Sequence, residues 1–510
     1  MVFRLILTGI LFIVSVNGYA QWHQLLPEPT DSRQPLLQDT ESNNFNFYDI
    51  SRNIAALFED EDRFSLWVGS HLNYESGDYR LPFAPNIAND QRYSLRLVKP
   101  LTENDLFKGY FGYHRSVDQA VLWVHQTRLR ENNPFILADS STGDFVLNGL
   151  FWAGEWAHRL QPNLQTGIGI YYNVDQRLKQ TFPKPENNHR DVHFRVGVQY
   201  TWRDWGLGLS GCYFDEQEKV IITQYNLDQN LTPVLYKFRY SDLPVIFLGK
   251  TSEERQIDFA GIAVGGQLKR QIGDKFRVMG DFQYTTSEGK VRDGGSQPQP
   301  QGEFDGSQFT AQLLGDYRNS PNTEWRLSYT LVYRKRNAYH PEFGQKVMDH
   351  PGGEHTVLLS LMQKLARNIA LSADAGYQYL WEQYQDYMTE NFFEYRQNHF
   401  LIRLGANYQS GERWETAVWS AFTLVRNAEK EFSQNAYTDF FNQLFLYRIY
   451  YYLRNNLDVG GGLQVTYHYG PLFDVTLVSR YYREISNDHF KKSAYRQNYL
   501  LTFLIKFFIL

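Results

Sequence analysis

The chain of 510 residues carries a single cysteine, Cys212, so no internal disulfide can staple it. A secreted chain of this length must then be held by its sheet or its core. Long apolar runs are almost as scarce. Residues 5–16 form one, and no second run approaches the ~20 residues that a helix needs to cross a bilayer, so helical membrane spans are excluded. Charge of one sign is lacking too: 51 Lys and Arg against 56 Asp and Glu leave a net charge of -5 spread over the chain, which offers nothing to nucleic acid. No G-x-S-x-G elbow, H-E-x-x-H pair, P-loop or CxxC occurs, which removes the common signatures of hydrolases, metalloproteases and nucleotide enzymes. No Pro/Gly/Ser-rich linker divides the chain.

What is abundant is aromatic: 16% of residues, with 36 Tyr and 36 Phe, in a chain of low mean hydropathy. A membrane β-barrel has this combination, because only alternate residues face lipid and aromatic girdles mark both interfaces. The stretch 308–334 shows the pattern. Phe309, Ala311, Leu313, Gly315 and Tyr317 alternate with mostly polar residues, and after a short polar link Trp325, Leu327, Tyr329, Leu331 and Tyr333 alternate with Arg326, Ser328, Thr330 and Arg334. A period of two reads as strands with one apolar and one polar face.

Residues 1–20 combine Arg4, the apolar run and the small residues Gly18 and Ala20 before Gln21, the form of a cleavable secretory signal peptide. No cysteine follows the expected cleavage point, so lipidation there is not expected. Residues 21–62 are polar and bear prolines, with one short helix expected at about 49–58, capped by Asp49 or Ser51. They form an N-terminal periplasmic or plug-like segment, either a leader before the first strand or a piece tucked into the barrel mouth. Residues 63–510 form the barrel.

From residue 63 onward strand-like segments come in pairs. Their links alternate between tight turns, such as 203–204, 273–274 and 411–412, and long polar loops at 75–90, 130–143, 175–190, 215–255, 287–307, 336–354 and 382–397. In an up-and-down antiparallel barrel that alternation puts all long loops at one end, as in outer-membrane barrels with short periplasmic turns and long extracellular loops. Trp202, Trp205, Trp325 and Trp414 flank the tight turns, where an interfacial belt is expected. Nine long loops in all, of which these are seven, would give about 18 strands, with a range of 16–20, since an even count returns both termini to one side. Between 439 and 483 three strand-like segments, 445–453, 457–467 and 473–482, compete for two places. The final segment, YLLTFLIKFFIL, keeps Tyr499, Leu501, Phe503, Ile505, Phe507 and Ile509 on one apolar face and resembles the terminal strand by which outer-membrane barrels are recognised for assembly.

The polar faces supply the first functional candidates. Arg195, Arg277, Asp281, Gln312, Asp316, Arg326, Asp374 and Arg403 stand opposite the lipid-facing set and are expected to line the lumen. Charge at membrane depth is tolerated only where it meets water or a partner, and the mixed signs favour neither anions nor cations. The second set lies in the longest loop, where Tyr225, Tyr236, Phe238 and Tyr240 suit contact with carbohydrate or a protein partner, unless that loop folds over the pore. His340, His350 and His355 share a loop with Glu342, Asp349 and Glu354, but without the fixed spacing of a metal site. No metal, cofactor or catalytic residue is expected, and the lumen side chains are read as structure, leaving a membrane hydrolase as the weakest alternative.

The signal ending GYAQ, the Tyr/Asn-rich paired strands and the terminal LTFLIKFFIL resemble uncharacterised, porin-like outer-membrane β-barrel proteins of Bacteroidota. Members of that group often accompany TonB-dependent transport, so the resemblance implies nutrient uptake, with outer-membrane lipid and a TonB-dependent transporter or surface lipoprotein as partners. The chain has no recognisable TonB box, plug domain or peptidoglycan-binding domain. Its expected place is the outer membrane, as a pore or accessory subunit of uptake, with a structural or partner-binding barrel of plugged lumen as the alternative.

Overall fold

In a computed structural model the chain is described at residues 48, 52–60, 64–78, 80, 83–122, 124–127, 133–139, 141–224, 234–238, 244–248, 253–433, 455–486 and 494–508. The expected signal peptide, most of the leader and the strand-like segment 445–453 lie outside these residues.

The strands are β1 (Ser65–Gly77), β2 (Ile87–Pro100), β3 (Asp105–Val121), β4 (Leu137–Asp139), β5 (Gly143–Gln161), β6 (Leu164–Lys179), β7 (Lys184–Trp202), β8 (Trp205–Gln224), β9 (Val234–Phe238), β10 (Pro244–Leu248) and β11 (Glu253–Ile272). They continue with β12 (Phe276–Asp293), β13 (Gln299–Ser320), β14 (Thr323–Tyr339), β15 (Lys346–Asp349), β16 (Gly352–Ala366), β17 (Ile369–Asp386), β18 (Phe392–Ser410), β19 (Trp414–Ser433), β20 (Asn456–Tyr469), β21 (Phe473–Ser486) and β22 (Ala494–Phe508). Omitting the short β4, β9, β10 and β15, the other 18 pair with their neighbours in sequence, all antiparallel. β22 pairs with β1, from Ser65 opposite Phe508 to Gly77 opposite Arg496, and closes the barrel. Closure leaves no unpaired strand edge, the condition for a sheet to cross hydrocarbon. Of the three competing segments, 457–467 and 473–482 fall within β20 and β21, and Val425 of β19 pairs directly with Asn456 of β20.

Burial is inverted relative to a soluble protein. On β14 Trp325, Leu327 and Tyr333 are exposed, and on β13 Phe309, Leu313 and Tyr317, whereas Asp316 between them is 1% exposed. Trp202, Trp325 and Trp414 stand exposed beside the tight turns, and Tyr213, Tyr284, Tyr333, Tyr377 and Tyr499 stand exposed farther along their strands, toward the loop end. Eight residues separate Trp325 from Tyr333. At ~3.3 Å per residue and a tilt of ~40° this spans roughly 20 Å of membrane normal, near the ~25 Å expected of a lipid-facing band. The 18-stranded architecture is that of an outer-membrane barrel.

Several segments expected as long loops prove to be strand. Asp175 pairs with His189, Ser287 with Gly306 and Glu382 with Tyr395, so 175–190, 287–307 and 382–397 are mostly ladder. The reason is that these strands project beyond the apolar band. The outward face turns polar there, while inward Val291, Phe304, Tyr384, Phe393 and Tyr395 are buried, so the outward apolar row that announces a strand is lost. In the other direction, the strand expected over 107–129 ends at Val121, just after Ala120 takes φ 54.

Candidate functional site: the occupied lumen

Of the eight positions expected to be inward, seven fall into cross-strand sets. Arg277, Asp316 and Arg326 stand opposite one another in register on β12, β13 and β14. Arg277 Nη2 donates to Asp316 Oδ2 at 2.7 Å, and Arg326 Nε donates to Asp316 Oδ1 at 2.7 Å. Asp374 and Arg403 pair likewise across β17 and β18, with Nε 2.5 Å from Oδ2. Asp281 accepts from Gln267 Nε2 at 3.0 Å and faces the half-buried Gln312 in register. Arg195 is half-buried on β7 opposite Cys212 of β8.

Gln267 ties this wall to the N-terminal segment. Its Oε1 accepts from Asn53 Nδ2 at 3.0 Å, and the same amide donates to the carbonyls of Val198 and Leu209 at 3.2 and 3.3 Å. Asn53 Oδ1 meanwhile caps a short helix by accepting from Ala55 N at 3.1 Å. A 3-10 turn, Ile54–Ala56, capped by Asn53, continues into one α-turn, Leu57–Asp60, and Tyr48 before it is helical too, its carbonyl accepting from Arg52 N at 3.0 Å; the expected caps Asp49 and Ser51 lie outside the described residues. Tyr48, Ala56 and Leu57 pack on Val98, Leu106, Ala157 and Met279, an apolar patch on the inner face. Burying an Ile or Leu there contributes about 1.5–3 kcal/mol. Lys269 Nζ lies 2.7 Å from Glu59 Oε1, and the Arg159 guanidinium lies 4.0 Å from the Phe58 ring centroid.

Glycine makes room for this strap. A Cβ on Gly167 would come within 2.7 Å of the Ala55 nitrogen and the Ile54 carbonyl carbon, and one on Gly197 would strike Asn53 Oδ1. Gly167→Leu is therefore expected to expel residues 52–60 while leaving β6 able to pair. Trypsin should then cut at Arg52 several-fold faster in folded protein, with heat-modifiable migration retained. Unchanged protection would show that the strap is not seated on this glycine.

At the loop end the chain folds inward a second time. Residues 124–127 and 133–139 are held by inward side chains of the wall. Arg177 Nη1 donates to Gln126 O at 2.7 Å, Lys179 Nζ lies 2.7 Å from Asp139 Oδ2, and Arg255 Nη1 donates to Phe135 O at 3.1 Å. Glu218 accepts from Thr127 N, and Asn187 donates to His125 O. Arg255 is itself fixed by Asp293 at 2.7 and 3.0 Å. Phe135 reaches a buried apolar cluster that joins Phe214, Phe259, Phe304, Val347, Leu380 and Phe393. β9 pairs with both β4 and β10, so the longest loop also docks on the inserted segment.

That placement bears on the aromatic loop set. Tyr236 lies on β9, half-buried against Ala138; Phe238 ends the same strand; Tyr225 and Tyr240 lie outside the described residues. The three loop histidines do not converge: His350 Nε2 bonds Glu382 Oε2 at 2.9 Å, His355 Nδ1 meets Tyr329 OH at 2.9 Å, and His340 stacks on Phe343. Among the described residues no group of three or more His, Cys, Asp or Glu could hold a metal ion. Sequence reading missed the charged clamps Arg177, Lys179 and Arg255. A signal was present: Asn173, Asp175, Arg177 and Lys179 continue the inward parity of β6 into what looked like a loop.

A family model described as a family of unknown function (DUF6850) matches residues 55–507, nearly the whole barrel. The chain belongs to this family. The match begins inside the strap, at Ala55, so the family pattern takes in the end of that segment together with the wall. No curated protein matches the sequence. Among solved structures, the copper transporter OprC is similar at 10% identity over 88% of this chain and 82% of that chain, with a TM-score of 0.47. The ferripyoverdine receptor of the outer membrane of Pseudomonas aeruginosa, bound to ferripyoverdine, is similar at 8% identity over 88% and 72%, with a TM-score of 0.42. BauA, the ferric preacinetobactin receptor from Acinetobacter baumannii, is similar at 10% identity over 88% and 80%, with a TM-score of 0.42.

Proposed function

We propose that this protein is an outer-membrane barrel acting in nutrient uptake, as a gated pore or accessory subunit whose lumen is narrowed at rest by its own chain. The observation that carries the reading is the clamp on the inserted loop: Arg177, Lys179 and Arg255 hold residues 126, 139 and 135 inside the wall. An 18-stranded barrel is wide enough for an aqueous channel unless chain fills it, and here chain enters from both ends. In this reading residues 1–20 are a cleaved signal peptide, the loop end faces outward, and residues 21–62 include the plug-like strap. A TonB-dependent transporter or a surface lipoprotein is the partner class, and Tyr225, Tyr236, Phe238 and Tyr240 belong to the loop such a partner would meet.

Planar-bilayer recording tests the proposal. Full-length protein should insert with little steady conductance, and replacing residues 124–139 by a short Gly/Ser link should give discrete, long-lived steps at least several-fold larger. Steady conductance from the intact protein would overturn the plug. An excised loop that leaves a folded, inserted barrel silent would favour the structural, partner-binding alternative.

A further inference from the structure

The outer wall carries a groove of about 630 Å³ crossing β3, β5, β6, β7 and β8, away from the lumen. Its position is informative. Leu150 and Val174 are outward and apolar, the next outward residues toward the loop end are Asn148 and Gln176, and the pair Val146 and Leu178 lies beyond them. The groove thus joins an apolar pair to a polar row. Only an amphiphile can use both halves at once.

The polar half narrows the class. Asn148, Gln176, Asn188 and Gln217 set four carboxamides around it. Their internal bonds leave complementary groups over: Tyr113 OH donates to Asn148 Oδ1 at 2.8 Å, Gln176 Nε2 donates to Glu186 at 2.9 Å, and Gln217 Nε2 donates to Asp258 at 2.7 Å. The Asn148 amide N–H donors and the Gln176 and Gln217 carbonyls therefore keep capacity for further partners. Both cations are already matched by acids: Arg190 by Asp215 at 2.7 Å and Lys219 by Glu254 at 2.8 Å. A bare phosphate would have to compete with those carboxylates. Paired hydroxyls, which donate and accept, match the carboxamides directly.

We infer that the groove seats the hydroxyl-rich sugar headgroup of a glycolipid in the leaflet at the loop end, with an acyl chain lying along Leu150 and Val174. The inference is independent of whether the lumen conducts, because every residue it uses faces outward.

Native mass spectrometry of the detergent-solubilised full chain, titrated with a diacyl disaccharide glycolipid, tests it. One adduct should be retained by the wild type. Gln176→Leu with Gln217→Leu should weaken retention by at least tenfold, and Leu150→Ser should weaken it by several-fold. Phosphatidylglycerol of matched chain length should be retained at least tenfold less than the glycolipid. Undiminished glycolipid retention by the double variant overturns the assignment, as does equal or better retention of phosphatidylglycerol. Retained heat-modifiable migration establishes that the variants fold, and Gln176→Asn, which keeps the carboxamide, should hold most of the binding.

Discussion

Leu327→Arg is expected to cost about 2–4 kcal/mol of folding free energy, the cost of a cation on the lipid face of a barrel strand within the membrane. Leu327 is 51% exposed, between Trp325 and Tyr333 on the outward row of β14. In a soluble protein a leucine so exposed could accept a charge within about 0.5 kcal/mol. Here the surrounding medium is hydrocarbon, and the same exposure becomes the source of the penalty. Urea titration of protein refolded into phospholipid vesicles reads the difference. Leu327→Phe, which keeps the surface apolar, should stay within about 1 kcal/mol. Tolerance of arginine at 327 would mean that the wall is inside out.

Asp316→Leu should be of similar size for the opposite reason. The carboxylate is 1% exposed and bonded to two guanidinium groups at 2.7 Å each. Removing it strips Arg277 and Arg326 of the buried carboxylate they share, while Glu324 Oε1 stays 3.7 Å from Arg326 Nη2. Breaking a buried ionic set by deleting one partner costs about 3–5 kcal/mol. Both arginines keep some exposure to the lumen, with 33% and 22% of their side chains accessible, so the lower end, about 3 kcal/mol, is expected. Adding Arg277→Leu and Arg326→Leu should recover much of the loss, because no charge is then stranded. A triple variant no more stable than Asp316→Leu alone would show that the row is held by something other than charge pairing. The coupling is measurable as a mutant cycle in the same vesicle system.

The two variants divide the wall into a face that must stay apolar and a face whose charges must stay matched. The interior goes further than matching. Asp316, Asp374 and Asp281 neutralise or bond their neighbours within the wall, whereas Arg177, Lys179 and Arg255 also donate to chain inserted into the lumen. The first set stabilises the cylinder; the second selects what fills it. The inner apolar patch of Val98, Leu106 and Met279 has the same meaning, since apolar side chains on the wet face of a barrel are costly until the strap residues Ala56 and Leu57 cover them.

The sequence by itself determined an antiparallel barrel of about 18 strands, within a range of 16–20, because period-two alternation is local and needs no knowledge of neighbours. Arg277, Asp316, Arg326, Asp374 and Arg403 were expected to be inward for that reason. Their pairing was not, since register between strands depends on the whole hairpin and one residue of slip would separate Asp374 from Arg403. The extent of the strands past the membrane was hidden where Asp175 to Lys179 lose the apolar partner face. The placement of residues 52–60, 124–127 and 133–139 inside the wall belongs to the tertiary structure alone. A segment of ordinary polarity carries no local mark of the cavity that will receive it, and the marks that exist, Gly167 on one strand and Arg177, Lys179 and Arg255 on others, become one site only when the barrel closes.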